Sequence, residues 1–237
     1  ADLGQEEPRI VAVIAQDETL LKAFVAGKDI YRTATEALYP YTTYDSEELS
    51  DSEFKDKFDH ERFVGKTFFL AWYYGAGPSR LRVLDKTLRP VEVKKALMTL
   101  DKAHPARRDY LEETREQLSE LGYVTSLYGR RRWISKIWSP REKEREEALR
   151  EAANMRVQAT AADILKIALP RIHEALEDKG AALVSTVHDE VIIDTPPEEV
   201  PYVTDIVGRA FEDLLEDVPL ILETFTGETW AERNRYE

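Results

Sequence analysis

Two carboxylates stand near opposite ends of this 237-residue chain: Asp2 in A-D-L-G-Q-E-E-P-R-I and Asp189 in V-S-T-V-H-D-E-V-I-I-D. The second stretch is an apolar run, a short polar turn and another apolar run. It predicts a hairpin with His188, Asp189 and Glu190 at its tip. Paired carboxylates are the donor set of a hard divalent cation, which takes oxygen ligands. Singly, Asp2 also reads as a helix N-cap and Asp189 as a turn residue. They become chemistry only if the fold gathers both around one cation.

A second set lies in H-E-R-F-V-G-K-T-F-F-L-A-W-Y-Y-G, residues 60–75. Arg62, Lys66, Leu70 and Tyr74 are spaced by four, which on an α-helix forms a slowly drifting stripe on one face. Two cations, an apolar residue and an aromatic suit the phosphates, sugar and base of a nucleoside triphosphate. The same spacing suits an ordinary amphipathic helix with a basic end. A third set, Arg150, Asn154 and Gln158, shares one face of a long helical stretch and reads either as a polar face or as a contact surface.

The elements that must position these residues are mostly helical. Apolar spacing predicts helices over 5–15, 18–26, 29–38, 60–74, 90–100 and 105–121, the last ended by Gly122. The acidic segment 42–56 reads as a loop or short helices. Residues 123–137 read as a short β element around Gly129. A long helix over 141–179 should be kinked or divided by Pro170. The 182–195 hairpin, a Pro196–Pro197 turn, a helix over about 200–215 and a strand near 220–225 complete the chain.

Length and a 43% hydrophobic content allow one large domain or two small ones. Zero cysteines exclude disulfides and zinc–thiolate sites and fit a reducing compartment. No apolar run is long enough to span a membrane, and no signal peptide opens the chain, so a cytoplasmic setting is expected. A net charge of −13 argues against general affinity for nucleic acid. The cations are clustered, however, at Arg80, Arg82, Lys86, Arg89, Lys94 and Lys95, and again at Arg130, Arg131, Arg132 and Lys136. A basic strip on an acidic body can still hold phosphates, because binding follows the local field. The chain opens on Ala1, one residue before Asp2, which is expected of a fragment, a processed product or one half of a split protein.

Five motifs together resemble family A DNA polymerases, the DNA polymerase I type. R-x-x-x-K-x-x-x-L-x-x-x-Y-G resembles the family's fingers helix. D-L-G-Q-E-E-P-R, continued by G-K-D-I-Y-R at 27–32, resembles its first palm motif. G-Y-V-T-S-L-Y-G-R-R-R, R-E-A-A-N-M-R-V-Q-A-T-A-A-D-I and V-H-D-E follow in the family's order, over nearly the whole chain. The resemblance implies an α+β right-hand polymerase fold without the thumb. Palm would span 1–28, fingers 29–135 and palm again 136–237. It implies template-directed DNA synthesis from dNTPs on primer–template DNA, in a bacterial or viral replication context. An N-terminal partner segment would carry the thumb and the remaining palm.

Residue by residue, the resemblance makes Asp2, Asp189 and the backbone carbonyl of Leu3 ligands of two magnesium ions, with manganese as a substitute. Glu190 would support the catalytic carboxylates. Arg62 and Lys66 would bind the triphosphate, Lys66 also being placed to protonate the leaving pyrophosphate. Gln5 and His188 would lie near the triphosphate or primer end. Glu7 would exclude a 2′-hydroxyl, and Tyr74 would sit by the templating pair. Arg150, Asn154, Gln158, Gly75 and Arg130 would face DNA. Leu70 departs from the family's usual Phe or Tyr, and Leu3–Gly4 from its usual Tyr–Ser. Two other readings are a single-subunit RNA polymerase and a non-catalytic DNA-binding subunit. The H-D-E triplet and Glu7 favour DNA synthesis over the first; retention of both aspartates with Arg62 and Lys66 speaks against the second.

Overall fold

A computed structural model describes residues 1–177 and 179–236. Strand β1 (Asp2–Gly4) leads into α1 (Glu6–Ala15) and α2 (Glu18–Val25). Then come α3 (Arg32–Leu38), α4 (Asp51–Lys57), α5 (Asp59–Tyr73), α6 (Pro78–Leu81), α7 (Pro90–Ala103) and α8 (Ala106–Leu121). A small hairpin, β2 (Tyr123–Thr125) and β3 (Arg131–Trp133), precedes α9 (Glu142–Ala175). The hairpin β4 (Ala182–Val187) and β5 (Glu190–Asp194) follows, then α10 (Val200–Ala210), β6 (Ile221–Thr226) and β7 (Asn234–Tyr236).

The main sheet is antiparallel with order β4-β5-β1-β6-β7. The opening strand is therefore central, clasped between elements from the far end of the chain. Asp2 pairs with Glu190 on one side and Glu223 on the other. Arg9 pins this arrangement: its Nε donates to the Gly4 carbonyl at 2.9 Å and its Nη1 to the Pro219 carbonyl at 2.8 Å. Its guanidinium lies 4.5 Å from the Phe24 ring centroid, so a buried cation is covered by carbonyls and an aromatic face.

Helix α9 is the spine. Ala148, Ala152, Ala153 and Ala168 are fully buried along it, and small side chains let neighbouring helices approach closely; α1, α8 and α10 all pack on it. It runs through Pro170 rather than dividing there. Pro170 and Lys166, whose carbonyl the proline leaves unpaired, both lie exposed, where water can serve that carbonyl. Ala168 and Ile172 are meanwhile buried. The helix ends at Ala175, earlier than expected; Asp178, within the expected span, lies outside the described residues.

Helix α5 packs against α3 at Gly65. A Cβ there would lie 2.2 Å from Thr35 Oγ1 and 3.2 Å from Thr35 Cα, so the crossing requires glycine. The C-terminal end of α5 is fixed by buried Asp17. Its Oδ2 accepts from Tyr73 Oη at 3.0 Å and meets His104 Nδ1 at 2.9 Å, while Oδ1 caps α2 through Thr19 N and Leu20 N.

Other differences from expectation are local. Helix α10 stops at Ala210, yet Phe211, Leu214 and Leu215 stay buried in irregular backbone that includes left-handed Asp213. The acidic segment resolves into α4, started by a capping box in which Ser50 and Glu53 serve each other's backbone. Strand β7 and helix α6 had no periodic signal, being three and four residues long.

Candidate active site

The strand pairing delivers the carboxylates to one place. Asp2 lies on β1 beside Glu190 on β5, with Asp189 in the tight turn one residue earlier. The Asp2 carboxyl titrates above its ordinary range, first because burial disfavours its charge and next because the Asp189 charge is near. Leu3 is buried in the same strand, and its residue pairs with Leu222. Among the described residues, no three acidic, histidine or cysteine side chains already converge in metal-holding geometry. Two neighbouring carboxylates and strand carbonyls are hard oxygens, the type of group that suits magnesium.

Two of the residues expected here sit in unusual backbone. Gln5, between β1 and α1, has φ 56°, and His188, in the β4–β5 turn, has φ 57°. Left-handed conformation costs a non-glycine residue on the order of 1–2 kcal/mol. His188 directly precedes Asp189, and Gln5 follows Asp2 by three residues. Gln5 Oε1 is buried without a partner.

Glu6 is absent from the sequence reading. Glu6 is 7% exposed, and among the described residues its Oε1 has no hydrogen-bond partner. Its pKa is pushed up to about 7 by burial first, then by Asp189, Glu7 and Asp2. In sequence it looks like an ordinary acidic residue in the first turn of a helix; nothing there says that this turn is buried beside two aspartates.

Helix α5 presents the predicted stripe. Arg62, Leu70 and Tyr74 are partly buried and Lys66 is exposed. Tyr31 is the floor under the cations: Arg62 Cζ lies 5.3 Å and Lys66 Nζ 5.9 Å from its ring centroid. Arg62 is also held by Asp29, its Nε donating to Oδ2 at 2.6 Å and Nη2 to Oδ1 at 3.1 Å. Asp29 and Tyr31 belong to the G-K-D-I-Y-R stretch, so a signal for them existed, but not for their partners. Among the described residues Lys66 makes no ion pair.

The far end of α5 meets α1 and α9 at Glu7. Tyr74 Oη donates to Glu7 Oε2 at 3.2 Å, and Gln158 Nε2 donates to Glu7 Oε1 at 2.5 Å. The Tyr74 phenol titrates well above its ordinary range, through burial first and the Glu7 charge second. Gly75 turns the chain at φ 89° directly after Tyr74, and its Cα lies against Arg150, whose Cγ would be 3.7 Å from an added Cβ.

Of the third set, Arg150, Asn154 and Gln158 are all partly buried on α9. Arg150 Nε is buried without a partner, and its Nη1 is 3.9 Å from Glu146 Oε2. Arg130 stands apart, with Nε donating to Asp163 Oδ1 at 2.6 Å. Arg80, Arg82, Lys86, Lys94 and Lys95 are exposed, whereas Arg89 is paired with Glu92 at 2.6 Å.

No described helix is long and apolar enough to cross a membrane. The family model for DNA polymerase family A matches residues 1–232. DNA polymerase I of Deinococcus radiodurans is 33% identical over 97% of this chain, which spans 23% of that protein. The thermostable DNA polymerase I of Thermus aquaticus is 30% identical over 97% of the chain, which spans 26% of it. The chain thus spans about a quarter of the length of these relatives. A solved structure of the polymerase domain of Pol1 from M. smegmatis, in complex with DNA primer-template and dNTP, is similar with a TM-score of 0.83 and 25% identity. That likeness covers 98% of this chain and 39% of the solved one.

Proposed function

The chain belongs to DNA polymerase family A, and from that premise we propose that it carries the catalytic centre for template-directed DNA synthesis, transferring nucleotides from dNTPs to a primer 3′-hydroxyl. Its α+β fold is that of a polymerase domain. We assign 1–28 and 136–237 to the palm and 29–135 to the fingers. The observation that carries the proposal is that strand pairing sets Asp2 opposite Glu190, one residue from Asp189, although these come from opposite ends of the chain, while Tyr74, just past α5, donates to Glu7 of α1 at 3.2 Å.

Asp2, Asp189 and the Leu3 carbonyl would hold two magnesium ions. Bound there, the ions would lower the pKa of the primer hydroxyl and neutralise the phosphates at the reacting centre. Arg62 and Lys66 bind the triphosphate, and Lys66, the exposed and unpaired cation, gives a proton to the leaving pyrophosphate. Asp29 orients Arg62 through two bonds, which leaves Nη1 of the guanidinium for phosphate. Glu7, fixed on both oxygens, forms a wall that a 2′-hydroxyl would strike. Leu70 contacts the sugar, and Tyr74 with Gly75 borders the templating pair. Gln5 and His188 line the primer end. Arg150 and Asn154 reach the minor groove, where acceptors repeat from pair to pair and report pairing rather than sequence; Gln158 joins them, and Arg130 contacts the backbone nearby.

The partners proposed are primer–template DNA and a further polypeptide segment that completes the palm and grips the duplex. The chain's share of its relatives' length supports such a segment. So does the sheet's outer strand β4, with Val184 61% exposed. Primer extension on a DNA template tests the function. Activity should prefer dNTPs over rNTPs and vanish in Asp189→Ala. Equal synthesis by Asp189→Ala would favour a non-catalytic DNA-binding subunit, and a preference for rNTPs a single-subunit RNA polymerase. Full processive synthesis by the 237-residue chain alone, running as a monomer on size exclusion, would remove the need for a partner segment.

A further inference from the structure

The proposed metal carboxylates are not left bare by the fold. The segment between β6 and β7 turns back over Glu190 and Asp2, closed by Glu228 N donating to Glu232 Oε2 at 3.1 Å and Glu232 N to the Thr229 carbonyl at 3.0 Å. The turn needs glycine at 227, where a Cβ would fall 2.5 Å from the Glu232 carbonyl oxygen. From this turn Trp230 Nε1 donates to Glu190 Oε2 at 3.1 Å. Arg233 Nη2 lies 3.3 Å from Glu190 Oε1 and 3.9 Å from Asp2 Oδ2. The Arg233 guanidinium is itself seated 4.4 Å from the Phe225 ring centroid on β6. Thus both oxygens of Glu190 are taken by this segment, and one guanidinium bridges Glu190 to Asp2.

An acidic centre of Asp2, Glu6, Asp189, Glu190 and Glu223 requires positive charge. Among the described residues, Arg233 is the one arginine or lysine paired with any of these five carboxylates. It lies one residue past the stretch that the family model matches.

We propose that Arg233 is an internal counter-cation of the active-site carboxylates, held by Phe225 and Trp230's turn, which a divalent metal must displace from Asp2. The inference rests on the reading of Asp2 as a metal ligand. A guanidinium and a divalent ion cannot both neutralise the same carboxylate oxygens at full strength, so Arg233 sets the metal affinity of the empty site. Its side chain is 44% exposed, so the competition is softened by solvent.

The test is titration of the full chain with Mn²⁺ alone, following free Mn²⁺ by electron paramagnetic resonance without nucleotide or DNA. Arg233→Gln should bind Mn²⁺ about two- to fivefold tighter than the native chain, and Arg233→Lys should fall between. Phe225→Leu, which keeps the charge and removes its platform, should shift affinity the same way by less; it serves if Arg233→Gln loses its native circular dichroism. Asp2→Asn should weaken binding whatever residue occupies 233. Unchanged or weaker binding in folded Arg233→Gln, with Asp2→Asn still weakened, overturns the counter-cation and leaves the metal site standing. Unchanged binding in Asp2→Asn overturns the metal site and the counter-cation with it.

Discussion

Gln158 on α9 donates to Glu7 on α1 at 2.5 Å, across 151 residues of sequence. Tyr74, the residue just after α5, holds the other Glu7 oxygen. One carboxylate thus joins the helix proposed to bind nucleotide to the helix proposed to touch DNA. Hydrogen bonds to a charged group are worth about 1.5–3 kcal/mol. Gln158→Leu should free one Glu7 oxygen and loosen discrimination against rNTPs by about tenfold, read as the ratio of kcat/KM for dNTP and rNTP. An unchanged ratio would mean that Glu7 stays in place without the Gln158 bond, held by Tyr74 and its own backbone.

Removal of the cation donors should abolish synthesis. Asp2→Asn and Asp189→Ala are each expected to lower primer extension by at least about a thousandfold, on the scale of losing a metal that clamps both reacting oxygens. Chelation by EDTA should do the same to the native chain, reversed by Mg²⁺ and in part by Mn²⁺. Extension that survives EDTA would exclude the two-metal reading.

Leu70 is partly buried in the stripe between Lys66 and Tyr74. It keeps apolar bulk but lacks a flat ring. Leu70→Phe should change the ratio of dideoxynucleotide to deoxynucleotide incorporation by severalfold while activity is retained. Identical ratios for both proteins would place the sugar elsewhere.

Glu6 should make the chain less stable as pH rises. Its folded pKa, pushed up to about 7, exceeds the ordinary 4.5. The two states therefore differ in protons bound between those values: below about 4.5 there is no cost, and the full cost is present above about 7. The shift corresponds to at most about 3 kcal/mol. In EDTA, Glu6→Gln should raise the melting temperature at pH 8 and have little effect at pH 4. Equal effects at both pH values would show that packing, not charge, governs this site.

Gly65→Ala tests the α3–α5 crossing. Alanine favours a helix by about 1 kcal/mol, but the added methyl would collide with Thr35, whose Oγ1 is fixed by donating to the Tyr31 carbonyl at 2.9 Å. Net destabilisation of about 1–3 kcal/mol is expected on denaturant unfolding. Adding Thr35→Ala should recover part of it, a coupling that distant residues would not show.

Periodicity located α1, α5, α7, α8 and the β4–β5 hairpin, because long amphipathic or alternating segments write their packing into spacing. Short elements such as α6 and β7 have no room for a period. Pro170 does not divide α9, because a proline's cost depends on which face of the helix it occupies, and that is set by tertiary packing. The stripe Arg62–Lys66–Leu70–Tyr74 was legible from one helix. That Asp29 and Tyr31 partner the stripe was not, since the pairing joins two separate segments.

The sequence by itself determined the order of the motifs, the residue types at the candidate site and the helical face that carries them, because these are local properties of spacing and chemistry. Only the tertiary structure decided that β1 lies between β5 and β6, and so that Asp2 stands opposite Glu190, one residue from Asp189. It also decided that Glu6 is buried with its Oε1 unpartnered among the described residues, and that Arg233 pairs with Glu190 and Asp2. Strand pairing and burial join segments far apart in the chain, and the free energy of a charge depends on those neighbours rather than on its place in the sequence.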